Sequence, residues 1–186
     1  DLPGVPSELV AVSNQHDTTR VIGMVREIDV ANAVQEGPYD VAWFATHGTD
    51  KGIILSTELL STRAVGQYVR ASRARLCILN TCDSEQVALS LLATGGADMI
   101  CTIGPIDDGD ATRMAILLAG ELTRHSDPYE AYLRVRPEGG NYRYYRDGWW
   151  YGWPWWLGVG VGVGVYLDAP VYQEYDDGHA ARCLRR

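Results

Sequence analysis

"LCILNTCDSEQVALSLLATGGADMICTIG" (Leu76–Gly104) decides how the rest of the chain is read. It opens with a short apolar run, turns at Cys82, continues as an amphipathic segment and ends in a second apolar run. A short apolar run bounded by turn residues is the pattern of a strand covered on both faces. Val87, Ala88, Leu91 and Leu92 share one helical face, and Gly95 and Gly96 close that helix. Strand, helix and strand in this order form a parallel crossover.

The same alternation extends in both directions. "YDVAWFATHGTD" (Tyr39–Asp50) is another apolar run, bounded by Pro38 and Gly48 and expected as a strand buried on both faces. "ELVAVS" (Glu8–Ser13) alternates like a strand, and "VIGMVREI" (Val21–Ile28) is ambiguous. Asp29 is the expected N-cap of a short helix that stops at Gly37, and "GIILS" (Gly52–Ser56) reads as a short strand. Ser61 can cap a helix with Ala64, Val65, Tyr68 and Val69 on one face. Asp110 is expected to cap "DATRMAILLAGELTRH", and Pro128 to sit in the first turn of a last helix. The fold class expected is α/β, with a mostly parallel sheet covered on both faces.

The 186 residues suit one domain with an appendage. A formal net charge of -8 argues against nucleic-acid binding, which calls for a basic face. Cys77, Cys82, Cys101 and Cys183 include no C-x-x-C pair and form neither a disulfide framework nor a zinc site. Cys77 and Cys101 lie in apolar runs, where a thiol acts as a small hydrophobe. This usage suits a reducing compartment, so the expected location is the cytoplasm. No Gly-rich phosphate loop follows the first strand, so no nucleotide cofactor is expected.

In parallel sheets, functional groups gather at the carboxyl ends of strands. His47 follows one strand and Cys82 follows another, 35 residues later. A cysteine entering a helix N-terminus meets free N–H groups that stabilise a thiolate, and an imidazole beside it can protonate a leaving amine. The backbone N–H groups of Gly48 and Cys82 suit an oxyanion. The chemistry implied is acyl transfer through a thioester, most simply peptide hydrolysis. No third residue has the spacing of a metal ligand.

These motifs resemble the CHAT peptidases, a caspase-like family in the clan of metacaspases and separase. "YDVAWFATHG" is similar to the strand ending in that family's catalytic His-Gly. "GIILSTELLSTRAVGQYVRASRARLCILNTCDS" is similar to the strand, helix and strand before its catalytic cysteine. "ATGGADMICTIGPIDDGDATRMAILLAGELTRHSDPYEAYLRVR" resembles the following strand, Asp-bearing loop and helices. The resemblance runs from about Glu8 to Arg136. It implies a caspase-like three-layer sandwich and a cysteine endopeptidase in a bacterial regulatory or defence setting. His47 would be the base and acid, Cys82 the nucleophile, and Gly48 with Cys82 the oxyanion donors. Asn80 falls where metacaspases carry an acid of the S1 pocket, and Asp108 and Asp110 match acids that help separase read a basic P1 residue. Asn80 and Thr112 stand where the family has acids. The family carries helical repeats or a sensor ahead of the peptidase, which implies a separate activator or sensor protein beside a protein or peptide substrate.

Composition changes near residue 137, which sets the expected peptidase domain at 1–137 and an aromatic, Gly-rich tail at 138–186. "WWYGWPWWLGVGVGVGVYL" (Trp149–Leu167) holds no charge over 19 residues, the minimum for a bilayer span, and Arg143 and Arg146 precede it. Gly and Pro are poor helix formers and alternating Gly-Val suits a strand. A membrane anchor and a partner-binding surface both remain open. The alternative to an enzyme is a non-catalytic caspase-like binding module that acts through this tail.

Overall fold

Ser61 does cap the helix that follows it, its hydroxyl accepting the Ala64 N–H at 3.3 Å. That helix buries Val65 and Val69, with Ala64 and Tyr68 packed beside them, as their spacing requires. The structure is a computed structural model describing residues 2–92, 96–136, 141–146 and 149–151. In chain order its elements are α1 (Val5–Gln15), α2 (Glu27–Gln35), β1 (Val41–Ala45), β2 (Gly48–Thr49), β3 (Gly52–Ile54), β4 (Leu59–Ser61) and α3 (Thr62–Ser72). There follow β5 (Leu76–Asn80), α4 (Glu85–Leu92), β6 (Asp98–Thr102), α5 (Asp108–Arg124), α6 (Pro128–Val135), β7 (Tyr142–Arg146) and β8 (Trp149–Tyr151).

The protein is α/β, built on a mixed five-stranded sheet in the order β1-β5-β6-β7-β8. β1, β5 and β6 run parallel, whereas β7 and β8 add antiparallel. The expected "mostly parallel" sheet is therefore parallel through its first three strands only. β2, β3 and β4 form a separate small antiparallel sheet directly after His47.

β5 is buried at every residue, and its alternation divides the core into two. Cys77 and Leu79 join Met99, Cys101, Val65, Val69 and Val87 on the face covered by α2, α3 and α4. Leu76 and Ile78 join Ile100, Met114, Leu118, Tyr132, Tyr142 and Tyr144 on the face covered by α5 and α6, with α1 packed on α5. Each large side chain so buried contributes about 1.5–3 kcal/mol relative to exposure. Cys77 and Cys101 are wholly buried, and burial pushes the Cys77 thiol far up.

Several sequence expectations are corrected. "ELVAVS" is helix, not strand: Val5, Glu8, Leu9 and Val12 have helical spacing, and Pro6 stands in the first turn. β1 is half-buried at each of its five residues, not fully buried, because it is an edge strand. α5 is capped by Asp107, whose carboxylate accepts from the N–H of Gly109 at 2.8 Å and of Asp110 at 3.4 Å. Asp110 is thus a first-turn residue. Asp29 is likewise inside its helix, accepting from the Arg26 N–H at 2.9 Å.

The sheet continues across the composition change near residue 137, since β7 pairs with β6 from Tyr142↔Thr102 to Tyr145↔Met99. Of the stretch 149–167, residues 149–151 are β8, and the remainder lies outside the described residues, as does Cys183. Among the described residues no helix is long and apolar enough to cross a membrane.

Candidate active site

β1 and β5 pair with a constant offset of 35 residues, from Val41↔Leu76 to Ala45↔Asn80. Both chains then leave the sheet at the same edge, and the next residues are Thr46-His47-Gly48 and Thr81-Cys82. Their contact continues past the strand ends. A Cβ placed on Gly48 would lie 2.2 Å from the carbonyl oxygen of Cys82 and 2.5 Å from the Thr81 hydroxyl. Only a residue without a side chain fits there. The backbone of His47-Gly48 therefore abuts that of Thr81-Cys82.

The His47 side of this contact is fixed by the small sheet. The Ile54 N–H donates to the His47 carbonyl at 2.8 Å, and the Thr46 hydroxyl donates to the Ile54 carbonyl at 2.6 Å. His47 is exposed and Cys82 half-buried, so both are open to a ligand at the sheet edge. The Cys82 thiol donates weakly to the Ile106 carbonyl, with 3.7 Å between sulfur and oxygen. Cys82 belongs to the turn before α4, not to its first helical turn.

The Asp-bearing loop lies against this turn. Besides the Ile106 contact, the Asp83 N–H donates to the Gly104 carbonyl at 3.0 Å. Asp108 is half-buried, and its Oδ2 accepts the Gly4 N–H at 2.8 Å; Asp110 is exposed. Thr112 turns its hydroxyl back to the Asp108 carbonyl at 2.7 Å.

Asn80 is buried in a network beneath the edge. Its Nδ2 donates to Glu8 Oε2 at 2.9 Å and to the Ala111 carbonyl at 3.3 Å, and its Oδ1 accepts the Tyr142 hydroxyl. The other Glu8 oxygen accepts Trp43 Nε1–H at 2.6 Å. Burial pushes the Glu8 carboxyl up to about 7, the Asn80 and Trp43 hydrogen bonds oppose that rise, and Asp108 adds to it. Tyr142 is pushed up by burial and then by the charges of Glu8, Asp110 and Cys82. The Tyr142 hydroxyl itself is bonded to Asn80, on the face of the sheet that α1 and α5 cover.

Glu8 and Trp43 were not singled out from the sequence. A signal existed: a Trp in a covered strand needs an acceptor, and Glu8 falls on the apolar face of α1. Among the described residues no three His, Cys, Asp or Glu side chains converge on a metal position. No family model and no curated protein matches the chain.

Proposed function

We propose that the protein is a caspase-like cysteine endopeptidase in which Cys82 attacks a substrate carbonyl and His47 serves as base and acid. The observation that carries this reading is the backbone contact of Gly48 with Cys82 at the ends of neighbouring parallel strands. On this reading the Cys82 thiolate forms a thioester, the N–H groups of Cys82 and Gly48 hold the oxyanion, and His47 protonates the departing amine. Water then releases the acyl group with His47 as base. Asp108 and Asp110 form the S1 side, Asn80 lies buried beneath it with its amide held by Glu8, Ala111 and Tyr142, and the preferred P1 residue is Arg or Lys.

Treatment with iodoacetamide near neutral pH tests the thiol directly. Cys82 should be modified well ahead of Cys77 and Cys101, and a His47→Ala variant should react more slowly. Equal, slow modification of Cys82 with and without His47 favours the non-catalytic binding module instead.

The S1 assignment is tested on Arg, Lys and Leu peptides with Asp108→Asn and Asp110→Asn. Losing one partner of a desolvated charge pair costs about 2–5 kcal/mol. Cleavage after Arg should fall roughly 30-fold or more while Leu peptides are spared. Equal losses on all three peptides would show that Asp108 matters through its bond to Gly4, as a brace for α1.

A further inference from the structure

The geometry points to Thr102 and Ser84 as positioning residues that clamp the Cys82 turn; the inference rests on the reading of Cys82 as the nucleophile. Thr102 ends β6, the strand beside β5, and both it and Ser84 are wholly buried. The Thr102 hydroxyl donates to the Thr81 carbonyl. The Ser84 hydroxyl donates to the Leu79 carbonyl at 3.2 Å and accepts the Thr102 N–H at 2.8 Å. The two hydroxyl oxygens lie 3.0 Å apart. Two small side chains thereby fasten the carbonyls on either side of Asn80 and the residue that follows the turn.

Between these anchors the backbone takes an uncommon path. Asp83 has φ 49°, a left-handed conformation that residues with a side chain seldom adopt. Its N–H is occupied by the Gly104 carbonyl at 3.0 Å. Such a conformation persists where its surroundings over-determine it. Here the surroundings are the Thr102–Ser84 pair and Gly104. The consequence falls on Cys82. With the Asp83 amide engaged by Gly104, the Cys82 N–H is the donor of this turn that the peptidase reading assigns to the oxyanion. Its separation from Gly48 is set by how firmly the Thr81 and Cys82 backbone is held. Releasing the Thr81 carbonyl leaves a buried acceptor without a partner, and the turn relaxes to satisfy it. Cys82 then shifts relative to Gly48, while Asp108 and Asp110, on a separate helix, keep their places. The clamp therefore governs the reaction step more than substrate binding.

Thr102→Val keeps the shape and burial and removes the hydroxyl; Thr102→Ser restores it. A misplacement of about 1 Å lowers turnover on the order of 100-fold. Thr102→Val should accordingly lose roughly 10- to 100-fold in kcat with KM little changed, and Cys82 should alkylate more slowly in the folded protein. Thr102→Ser should recover most of both. A folded Thr102→Val with wild-type kcat and alkylation rate overturns the clamp. So does a loss explained wholly by a lower folded fraction, measured by thermal unfolding. If Thr102→Val does not fold, Ser84→Ala carries the same readouts, because it strips the Leu79 carbonyl and the Thr102 N–H of their buried partner and loosens the same clamp, and wild-type rates there overturn the proposal. Wild-type protein that alkylates at Cys82 yet cleaves no peptide sinks the peptidase reading alone, because the clamp is still read from alkylation.

Discussion

Cys82→Ala should give a folded protein that cleaves no peptide and takes no thiol-directed label at the sheet edge. Cys82 is half-buried and its sulfur makes one weak contact, to the Ile106 carbonyl at 3.7 Å. Removing that sulfur leaves the backbone bonds of the turn untouched, so thermal stability should move by about 1 kcal/mol or less. Chemistry is affected differently. The nucleophile is the atom to which the acyl group transfers, and the other described thiols, Cys77 and Cys101, are wholly buried and cannot replace it. A loss of about 10⁴-fold or more in kcat is expected, with weak peptide binding retained. Turnover within about tenfold of wild type would reject Cys82 as nucleophile. Peptide binding that persists without any wild-type turnover would identify a binding module with this fold.

The placement of His47 and Cys82 was legible because it depends on local patterns that tertiary structure rarely overrides. β5 carries an uninterrupted apolar run, and parallel strands in register must present their following residues at one edge. What was not legible depended on distant partners. "ELVAVS" fits a strand as well as a helix over six residues; the decision lies with α5, against which α1 packs, and with Glu8 finding Trp43 and Asn80. The cap of α5 is ambiguous in the sequence, since Asp107 and Asp110 have equal intrinsic capping ability, and it is Asp107 that takes the extended backbone of an N-cap. The antiparallel β7 was hidden for another reason. Its "YRYYR" has strand chemistry, but its place beside β6 follows from a connection whose path no local pattern encodes. Thr102 and Ser84 are the same case on a smaller scale: ordinary hydroxyl residues that meet across 18 positions.

Stability should be highest near pH 5 and decline toward pH 8, and Glu8→Gln should flatten that decline. Glu8 and Glu85 are buried carboxyls, each pushed from 4.5 up to about 7 chiefly by desolvation, with Arg143 opposing the rise at Glu85. A folded value above the unfolded one means that the folded state holds the proton more tightly. As pH rises past 4.5 the unfolded chain loses these protons first, so folding becomes costlier until about 7, where the folded carboxyls ionise as well. One pKa unit corresponds to about 1.4 kcal/mol, so Glu8 contributes up to about 3 kcal/mol across that window, and Glu85, whose carboxyl is partly screened by solvent, contributes less. Asp127 acts in the opposite sense, held low by its Arg146 hydrogen bonds, but its contribution is lost only below the ordinary aspartate range and leaves this window unaffected. Gln at position 8 cannot ionise and can still accept the Trp43 N–H, so the larger part of the pH-dependent loss should vanish. The effect reaches the site because Glu8 ties α1 to Asn80, two residues before Cys82. Thermal unfolding of wild type and Glu8→Gln between pH 5 and 8 decides the matter. Parallel curves for the two proteins would mean that Glu8 does not titrate in this range.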